Sequence, residues 1–201
     1  MSKISRNAYL LTCDINSERA QFSKNILEGI GFNVIFFKAI PHSKPILSHK
    51  QSIIKIFEII ANDENNNWSY IFEDDINKLE DIKLDEIIEY EKISNKFFYL
   101  GICKYGNDTI QDTNISINNH KVYSVAGCVR GTHAFAFSRE GMKDYLNFIP
   151  NFSLEYMDMI LELYSFNNRA NIVRFDLQSY ISGHRGVIFQ DRIKFESIIE
   201  G

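Results

Sequence analysis

The chain has 201 residues, of which 45% are hydrophobic and 24% charged, and it carries a formal net charge of -4. These values are typical of one folded globular domain and exclude a disordered or fibrous protein. The acidic balance argues against a nucleic-acid partner, because such proteins need a surplus of Lys and Arg to displace phosphate counterions. The apolar run that ends at Cys13 is too short for a membrane span or a signal peptide, so we expect a cytoplasmic protein without a membrane span.

The beginning of the chain alternates between strand-like and helix-like segments. Asn7 to Cys13 predicts a buried strand, and apolar residues at helical spacing from Ser17 to Ile30, followed by Gly31, predict a helix with a glycine cap. Phe32 to Ala39 is rich in β-branched and aromatic residues and predicts a second strand. This order of strand, helix and strand is typical of the start of an α/β domain.

A second helix and a third strand come next. Ser48 to Gln51 has the Ser-x-x-Gln pattern of a capping box, in which side chains satisfy amide groups left open at a helix start. We therefore expect a helix from Ser48 to about Ala61. Trp68 to Phe72 predicts the next strand, and the triplet Glu73-Asp74-Asp75 follows directly at its carboxyl end. Because ligands of open α/β sheets bind beyond the carboxyl ends of the strands, the triplet marks a candidate site.

The rest of the chain predicts further helices, strands and a hairpin. The helices span Leu84 to Ile93, Arg139 to Phe148 and Ser153 to about Tyr164; the strands span Phe97 to Gly101, His133 to Phe137 and Ala170 to Phe175; the hairpin turns at Asn118-Asn119. We therefore expect an α/β fold with a mixed, mostly parallel central sheet flanked by helices. No linker divides the chain, so residues 1–201 are expected to form one domain.

The acidic triplet is the feature that carries the most chemistry. Three consecutive carboxylates repel one another unless a cation or hydrogen-bond donors neutralise them. A hard divalent ion such as Mg²⁺ or Mn²⁺ is commonly held by one or two carboxylates and completes its coordination with phosphates and water. Glu73-Asp74-Asp75 therefore predicts a metal-binding motif of DXD type for nucleotide diphosphate chemistry. The alternative is a helix cap or a solvated loop, which acidic residues at strand ends also form.

Several short segments occur in a fixed order over nearly the whole chain. They are Glu18-Arg19, Leu27-Glu28-Gly29-Ile30-Gly31-Phe32, Lys38-Ala39-Ile40, Ser48-His49, Tyr70-Ile71-Phe72-Glu73-Asp74-Asp75, Tyr99-Leu100-Gly101, Thr132-His133-Ala134-Phe135-Ala136-Phe137-Ser138 with Gly141, Met157-Asp158, and Gln190. In this order they resemble the lipopolysaccharide and collagen galactosyltransferases, glycosyltransferase family 25.

The resemblance implies a GT-A fold, a Rossmann-like arrangement that binds nucleotide-diphospho-sugars. It implies a donor-nucleotide half at about residues 1–105 and an acceptor half at about residues 106–201. The implied activity is that of a hexosyltransferase in glycan biosynthesis. Such an enzyme would move a hexose, with inversion and with Mn²⁺ or Mg²⁺, from a nucleotide-sugar expected to be a UDP-sugar to a hydroxyl acceptor on a glycan, a lipopolysaccharide or a protein.

The same resemblance implies roles for individual residues near the donor. In such enzymes the last acidic residue of the motif binds the metal, which makes Asp75 the metal ligand and leaves Glu73 or Asp74 facing the ribose and a water on the metal. Arg19 would reach the nucleotide, unless it is a solvated charge on a helix face. Ser48 and His49 would contact the donor, although a helix cap explains Ser48 and a surface position in a first helical turn explains His49.

Two acidic residues are candidates for the general base. Asp158 lies between Met157 and Met159, where burial would raise the pKa of its carboxyl and so its basicity. An inverting transfer needs one carboxylate to take the proton of the acceptor hydroxyl, and Glu155, three residues earlier, is the second candidate. His184 lies next to Arg185 in a C-terminal loop and is a candidate for a further metal ligand. The alternative is that His184 is a solvated loop residue without a ligand role.

Two functions of other classes stay open on the sequence. One is a non-catalytic module with the same fold that binds nucleotide-sugars or glycans. The other is a metal-dependent phosphohydrolase that uses the same carboxylates, although such an enzyme normally needs more acidic or His ligands spaced to hold two metals.

Overall fold

The computed structural model describes residues 6–106, 109–151, 156–181 and 183–195. Within these segments the first half of the chain gives β1 (Asn7–Thr12), α1 (Glu18–Ile30), β2 (Asn33–Lys38), α2 (Pro45–Asn62), β3 (Trp68–Glu73), β4 (Ile76–Lys78), α3 (Leu84–Ile93), β5 (Phe97–Tyr99), β6 (Gly101–Ile102) and β7 (Lys104–Tyr105). The second half gives β8 (Ile110–Ile117), β9 (His120–Val125), β10 (Val129–Arg130), β11 (Ala134–Ser138), α4 (Arg139–Phe148), a short 3-10 helix (Ile149–Asn151), α5 (Met157–Ser165), β12 (Ala170–Ile172), β13 (Arg185–Gly186) and β14 (Ile188–Gln190).

An eight-stranded mixed sheet forms the centre of the fold, in the order β2-β1-β3-β11-β5-β12-β9-β8. The predicted α/β class and the mixed sheet are confirmed, but the prediction of a mostly parallel sheet is wrong. Of the seven strand pairings within this sheet, three are parallel and four are antiparallel. The difference arises because β11 inserts between β3 and β5 antiparallel to both, and because the β8–β9 hairpin extends the far edge.

Helices cover both faces of the sheet, and the alternation of side chains along each strand separates two apolar cores. One core packs α2, α4 and α5 against one face, where Ile71 of β3 and Phe135 of β11 point. The other core packs α1 and α3 against the opposite face, where Tyr70 and Phe72 of β3 point. Because both faces are covered, β1 and β3 read as continuous apolar runs in the sequence.

Local signals in the sequence place most of the helices correctly. Ser17 caps α1 by accepting from the amide of Ala20, and Gly31 ends the helix with a φ of 120° that only glycine adopts readily. The predicted bounds of α3 and α4 agree with the structure. For the predicted helix that opens at Ser153, the described part begins at Met157, and Ser153 lies outside the described residues.

The predicted capping box at Ser48 is wrong. Helix α2 begins three residues earlier, with Lys44 at the N-cap and Pro45 in the first turn. Proline favours this position because its fixed φ suits the helix and its missing amide donor is not needed there. The hydroxyl of Ser48 instead donates to the backbone oxygen of Ile40 at 2.6 Å, which ties the first turns of α2 to the loop after β2.

The sheet brings distant parts of the chain to one edge. Residue Leu11 of β1 is in register with Glu73 of β3, so the carboxyl ends of both strands lie side by side. Strand β11 runs the other way and starts at this edge, where His133 accepts a backbone hydrogen bond from Glu73. Strand β14 pairs with β4 and places Gln190 opposite Ile76.

In the described parts of the chain, no helix is both long and apolar enough to cross a membrane.

Candidate functional site

The acidic triplet lies at the carboxyl end of β3 and is folded into the protein. Asp74 and Asp75 are each 4% exposed, and Glu73 is half-buried. The alternative of a solvated loop is therefore wrong for this triplet. Three carboxylates held out of water need partners, because an unpaired buried charge is costly.

Glu73 is the most completely hydrogen-bonded of the three. Its Oε1 accepts from the hydroxyl of Thr132 at 2.9 Å and lies 3.1 Å from Nε2 of His49, and its Oε2 accepts from the amide of Gln190 at 2.8 Å. Burial by itself would raise the pKa of Glu73, but the hydrogen bond and charge of His49, with further help from His133 and Thr132, outweigh it and lower the pKa to about 2. Glu73 is therefore a fixed anion.

Asp74 is held by residues of the first strand and the first helix. The hydroxyl of Thr12, at the end of β1, donates to Oδ2 of Asp74, and Nε of Arg19 lies 2.7 Å from Oδ1. The backbone oxygen of Asp74 accepts from the hydroxyl of Ser23 at 2.8 Å. Burial raises the pKa of Asp74 above its ordinary value despite the bonds from Thr12 and Arg19.

Asp75 has the loosest contacts of the triplet. The amide nitrogen of Gln190 lies 3.4 Å from each of its carboxylate oxygens, and Nη2 of Arg19 lies 3.6 Å from Oδ2. Burial and the negative charge of Glu73 raise the pKa of Asp75 to about 7. Its oxygens thus keep unused lone pairs in a place where negative charge is disfavoured without a counter-ion.

The triplet fits a divalent cation through Asp75 better than through its neighbours. Glu73 accepts short hydrogen bonds on both carboxylate oxygens, and Asp74 accepts one from Thr12 and is paired with Arg19, whereas the side-chain contacts of Asp75 are 3.4 Å or longer. A cation held by one or two carboxylates and by the phosphates of a substrate suits this arrangement. Among the described residues, no three His, Cys, Asp or Glu side chains form a group that could hold a metal by themselves.

Two adjoining clefts meet at the triplet. We call the first, of about 90 Å³, the inner cleft; it is lined by Leu11, Thr12, Cys13, Arg19, Ala39, Pro45, Ser48, His49, Glu73, Asp74, Asp75, Gln190 and Arg192. We call the second, of about 910 Å³, the outer cleft; it is lined by residues 43–46, His49, Glu73, Cys103, Lys104, residues 130–132, residues 156–159, Gln190 and Arg192. Pro45, His49, Glu73, Gln190 and Arg192 line both, so Glu73 stands at their junction.

The predicted donor-side residues Arg19, Ser48 and His49 all line the inner cleft. Arg19 is turned towards Asp74 and is not a solvated charge on the helix face. His49 contacts Glu73 and is not a surface residue of a first turn. The structure thus brings these three residues together with the triplet, and their predicted contacts with a donor stay predictions.

Asp158 lies in the first turn of α5 and lines the outer cleft. Burial raises the pKa of its carboxyl, a change that the positive charge of Arg130 opposes and the negative charge of Glu73 assists. A carboxylate of raised pKa that faces a cleft is a suitable general base. Glu155, the second candidate, lies outside the described residues.

His184 packs against another histidine. Its ring stacks on that of His133, with centroids 6.0 Å apart, and it lines neither cleft. Nδ1 of His133 in turn lies 3.3 Å from Sγ of Cys103, which lines the outer cleft. Burial lowers the pKa of His184, which favours the neutral form that a metal ligand needs, and its role as a ligand stays a prediction.

Four residues of the site had no role assigned from the sequence. Thr12 holds Asp74, Thr132 holds Glu73, and Gln190 reaches both Glu73 and Asp75. Arg192 lines both clefts and donates to Oε1 of Gln190 at 3.4 Å. Thr12 could have been found, because it ends a predicted strand and strand ends carry the site in this class of sheet. Nothing in the local pattern around Arg192 indicates a role.

Comparisons with known proteins give little further information. No family model matches the chain, and no curated protein matches it. Among solved structures, the chain is similar to that described as the crystal structure of A197 from STIV, with a TM-score of 0.48 and 10% sequence identity over 84% of this chain and 81% of that chain.

Proposed function

We propose that the protein is a metal-dependent glycosyltransferase of GT-A type that moves a hexose from a nucleotide-sugar, expected to be UDP-linked, to a hydroxyl group of a glycan, lipid-linked or protein acceptor. The observation that carries the proposal is the buried triplet Glu73-Asp74-Asp75 at a strand end, at the junction of two adjoining clefts, with Asp158 on the wall of the larger one. A transferase needs to bind a donor and an acceptor side by side, and two joined clefts suit that need.

The donor diphosphate would lie against the triplet. The inner cleft, of about 90 Å³, is smaller than the roughly 300–1,000 Å³ of typical ligand sites, so the rest of the donor would extend into the outer cleft. The parallel strands β2, β1 and β3 support a donor site here, because nucleotides bind beyond the carboxyl ends of such strands. Arg19, Ser48 and His49 would contact the donor in this arrangement.

Mn²⁺ or Mg²⁺ would be held by Asp75 and by phosphate oxygens of the donor. Asp74 and His184, the other ligands expected from the sequence, do not form a metal-holding group with Asp75 in the described part of the chain. When bound, such an ion neutralises the charge that develops on a departing nucleoside diphosphate. Side chains of the protein determine the other charges of the site. Glu73 stays ionised because His49, Thr132 and Gln190 contact its carboxylate oxygens. Arg19 offsets part of the charge of Asp74.

Asp158 would act as the general base. The acceptor oxygen forms a bond to the anomeric carbon of the donor sugar while the bond from that carbon to the diphosphate oxygen breaks. The proton of the acceptor hydroxyl passes to the carboxylate of Asp158, and the nucleoside diphosphate leaves with the electron pair. Attack from the face opposite the leaving group inverts the sugar, as the resemblance to family 25 implies.

A non-catalytic binding module is the second candidate function. The observation that favours it is that hydrogen-bond donors of the protein itself already satisfy Glu73 and Asp74. The repulsion within the triplet is thereby reduced without any metal, so the repulsion alone does not require one.

Calorimetry with UDP tests the proposal, in the presence of Mn²⁺ and in its absence. We expect UDP to bind with Mn²⁺ and to bind much more weakly in EDTA. The matched control is Asp81→Asn, which removes an exposed carboxylate a few residues from the triplet and should bind UDP like the wild type. Absent or metal-independent UDP binding would contradict the proposal.

Hydrolysis assays separate the enzyme from the binding module. A panel of nucleotide-sugars is incubated with the protein and Mn²⁺, and release of nucleoside diphosphate is measured. A transferase without its acceptor is expected to release the diphosphate slowly from its own donor. Metal-dependent UDP binding without release from any donor, and without transfer to any acceptor, would favour the binding module.

A further inference from the structure

The outer cleft carries positive charge on a chain that is negative overall. Its lining contains the basic side chains of Lys44, Lys104, Arg130 and Arg192, and the acidic side chains of Glu73 and Asp158. The formal net charge of the whole chain is -4. An excess of one sign of charge in a cleft focuses the electrostatic field on a ligand that enters it. The cleft is therefore built for a ligand with negative charge.

Two of these cations have no counter-ion among the described residues. Within the described residues, Lys44 and Lys104 take part in no ion pair, and both are exposed. Arg130 is paired with Glu162 at 3.2 Å. Arg192 is engaged with Gln190. The positive charge available to a ligand thus lies mainly on Lys104 and Lys44, with Arg130 beside them.

Two helices start at the wall of the outer cleft without a side-chain cap. Lys44 occupies the N-cap of α2 and Tyr156 that of α5, and the side chain of neither accepts a hydrogen bond from its helix, whereas the side chains of Ser17 and Ser138 cap α1 and α4. A lysine beside the positive end of a helix dipole is unfavourable. An anion in the cleft would relieve this, so the helix ends reinforce the charge of the side chains.

Tyr156 provides an apolar surface at the same cleft. Its side chain lines the outer cleft and is 53% exposed, so the ring is accessible to a ligand. Aromatic rings with a polar edge suit ligands that are part apolar and part wet, as the faces of sugar rings are. Cations and an exposed aromatic ring in one cleft fit an acidic sugar.

We propose that the outer cleft binds an acidic saccharide, and that the acceptor of the proposed transferase carries a phosphate or carboxylate group that Lys104 and Arg130 contact while Tyr156 packs on a sugar ring. The role of this saccharide as the acceptor rests on the proposed function, whereas the binding of an acidic saccharide in the outer cleft does not. The overall acidic charge of the chain disfavours an extended polyanion such as a nucleic acid, which would meet repulsion beyond the cleft.

The test measures the binding of matched acidic and neutral sugars to the full-length protein. The pairs are sialyllactose against lactose, for a carboxylate, and galactose phosphate against galactose, for a phosphate. We expect at least one acidic sugar to bind about tenfold or more tightly than its neutral partner, the effect of one charge-assisted hydrogen bond. Lys104→Ala and Arg130→Ala should each remove most of this preference, and Tyr156→Ala should weaken both members of a pair.

The control variant is Lys143→Ala, which removes an exposed lysine of α4 that lines neither cleft. It should keep the preference. Binding of UDP with Mn²⁺ is measured on every variant. If Lys104→Ala and Arg130→Ala lose UDP affinity in parallel, the cations serve the diphosphate of the donor and the inference is overturned.

Equal affinity for the acidic and neutral members of both pairs also overturns the inference. These outcomes are distinct from a failure of the proposed function. The sugars are tested without nucleotide, so a protein that does not bind UDP but prefers the acidic sugars would refute the transferase and keep the acidic-saccharide site.

Discussion

The side-chain amide of Gln190 donates a hydrogen bond to Oε2 of Glu73, with 2.8 Å between the two atoms. Its oxygen accepts from Sγ of Cys103 at 3.1 Å, which fixes the orientation of the amide. The backbone amide of Asp191, the next residue, donates to the backbone oxygen of Asp75 at 2.7 Å. The C-terminal part of the chain thus holds the triplet in place, mainly through the side chain of Gln190.

Gln190→Ala is expected to destabilise the fold. The variant leaves Oε2 of a half-buried anion without its donor, and a hydrogen bond to a charged group contributes about 1.5–3 kcal/mol to the free energy of unfolding. Urea denaturation at neutral pH in EDTA measures the loss. Gln111→Ala, at an exposed position of β8, is the control and should change the free energy of unfolding by less than about 0.5 kcal/mol. Equal effects of the two substitutions would contradict the role of Gln190.

Asp75→Asn is expected to stabilise the metal-free protein at and above neutral pH. The folded-state pKa of Asp75 is raised from 3.8 to about 7 by burial and by the charge of Glu73, so the wild type loses stability as the pH rises through that interval. Asparagine does not ionise and escapes this loss. We expect a gain on the order of 1–3 kcal/mol in EDTA above pH 7 and little difference below pH 4.

The same variant tests the metal ligand. Mn²⁺ together with UDP should raise the melting temperature of the wild type, because a ligand that binds only the native state stabilises it. Asp75→Asn should lose this increase, while Asp81→Asn, at an exposed carboxylate, should keep it. An undiminished increase in Asp75→Asn would remove Asp75 as the ligand.

Local sequence patterns predicted the triplet and most helices, because their determinants lie within a few residues. Ser17 caps the start of α1 with its side chain, and Gly31 ends the helix through its backbone conformation. The apolar run of β3 ends at Glu73. The start of α2 was misplaced because two signals competed. Pro45 and the Ser-x-x-Gln pattern both indicate a helix start, and only packing against the loop at Ile40 decides between them.

Long-range contacts of the site could not be read from the sequence. Thr132 and Gln190 reach Glu73 because β11 inserts antiparallel beside β3 and because β14 pairs with β4. The alternation of strands and helices predicts that strands exist, but it does not say where each one enters the sheet. The neighbours of Glu73 therefore follow from the order of the strands, which packing of both sheet faces determines.

Glu86→Ala is expected to be among the more destabilising single substitutions. Glu86 and Arg174 are both buried and form two hydrogen bonds of 2.7 Å, so the variant removes the two shortest bonds of the guanidinium and leaves it the longer contacts with Glu80 and the backbone oxygen of Asp81. Breaking a buried pair from one side costs about 3–5 kcal/mol. The control is Glu89→Ala, which breaks an exposed pair with Lys92 and should cost less than about 1 kcal/mol.

The pH dependence of the same pair has a definite sign. Burial would raise the pKa of Glu86, but the hydrogen bonds from Arg174 and Asn118 outweigh it and hold the pKa below its ordinary value of 4.5. The stabilisation is therefore complete above pH 4.5 and is lost as the pH falls through the folded-state pKa. Urea denaturation of wild type and variant should give a difference that shrinks on acidification, and a constant difference down to pH 3 would contradict it.

Asp158→Asn is expected to abolish transfer while UDP binding with Mn²⁺ stays unchanged. Removal of a general base typically lowers kcat by about 10²- to 10⁴-fold. Burial raises the pKa of Asp158 above its ordinary 3.8, so the acidic limb of the wild-type kcat profile should lie above that value, since protonation removes the base. Asp85→Asn, which changes an exposed acid in the first turn of α3, is the control and should keep full turnover. Glu155→Gln completes the set: lost turnover in this variant, with turnover retained in Asp158→Asn, would transfer the role of base to Glu155.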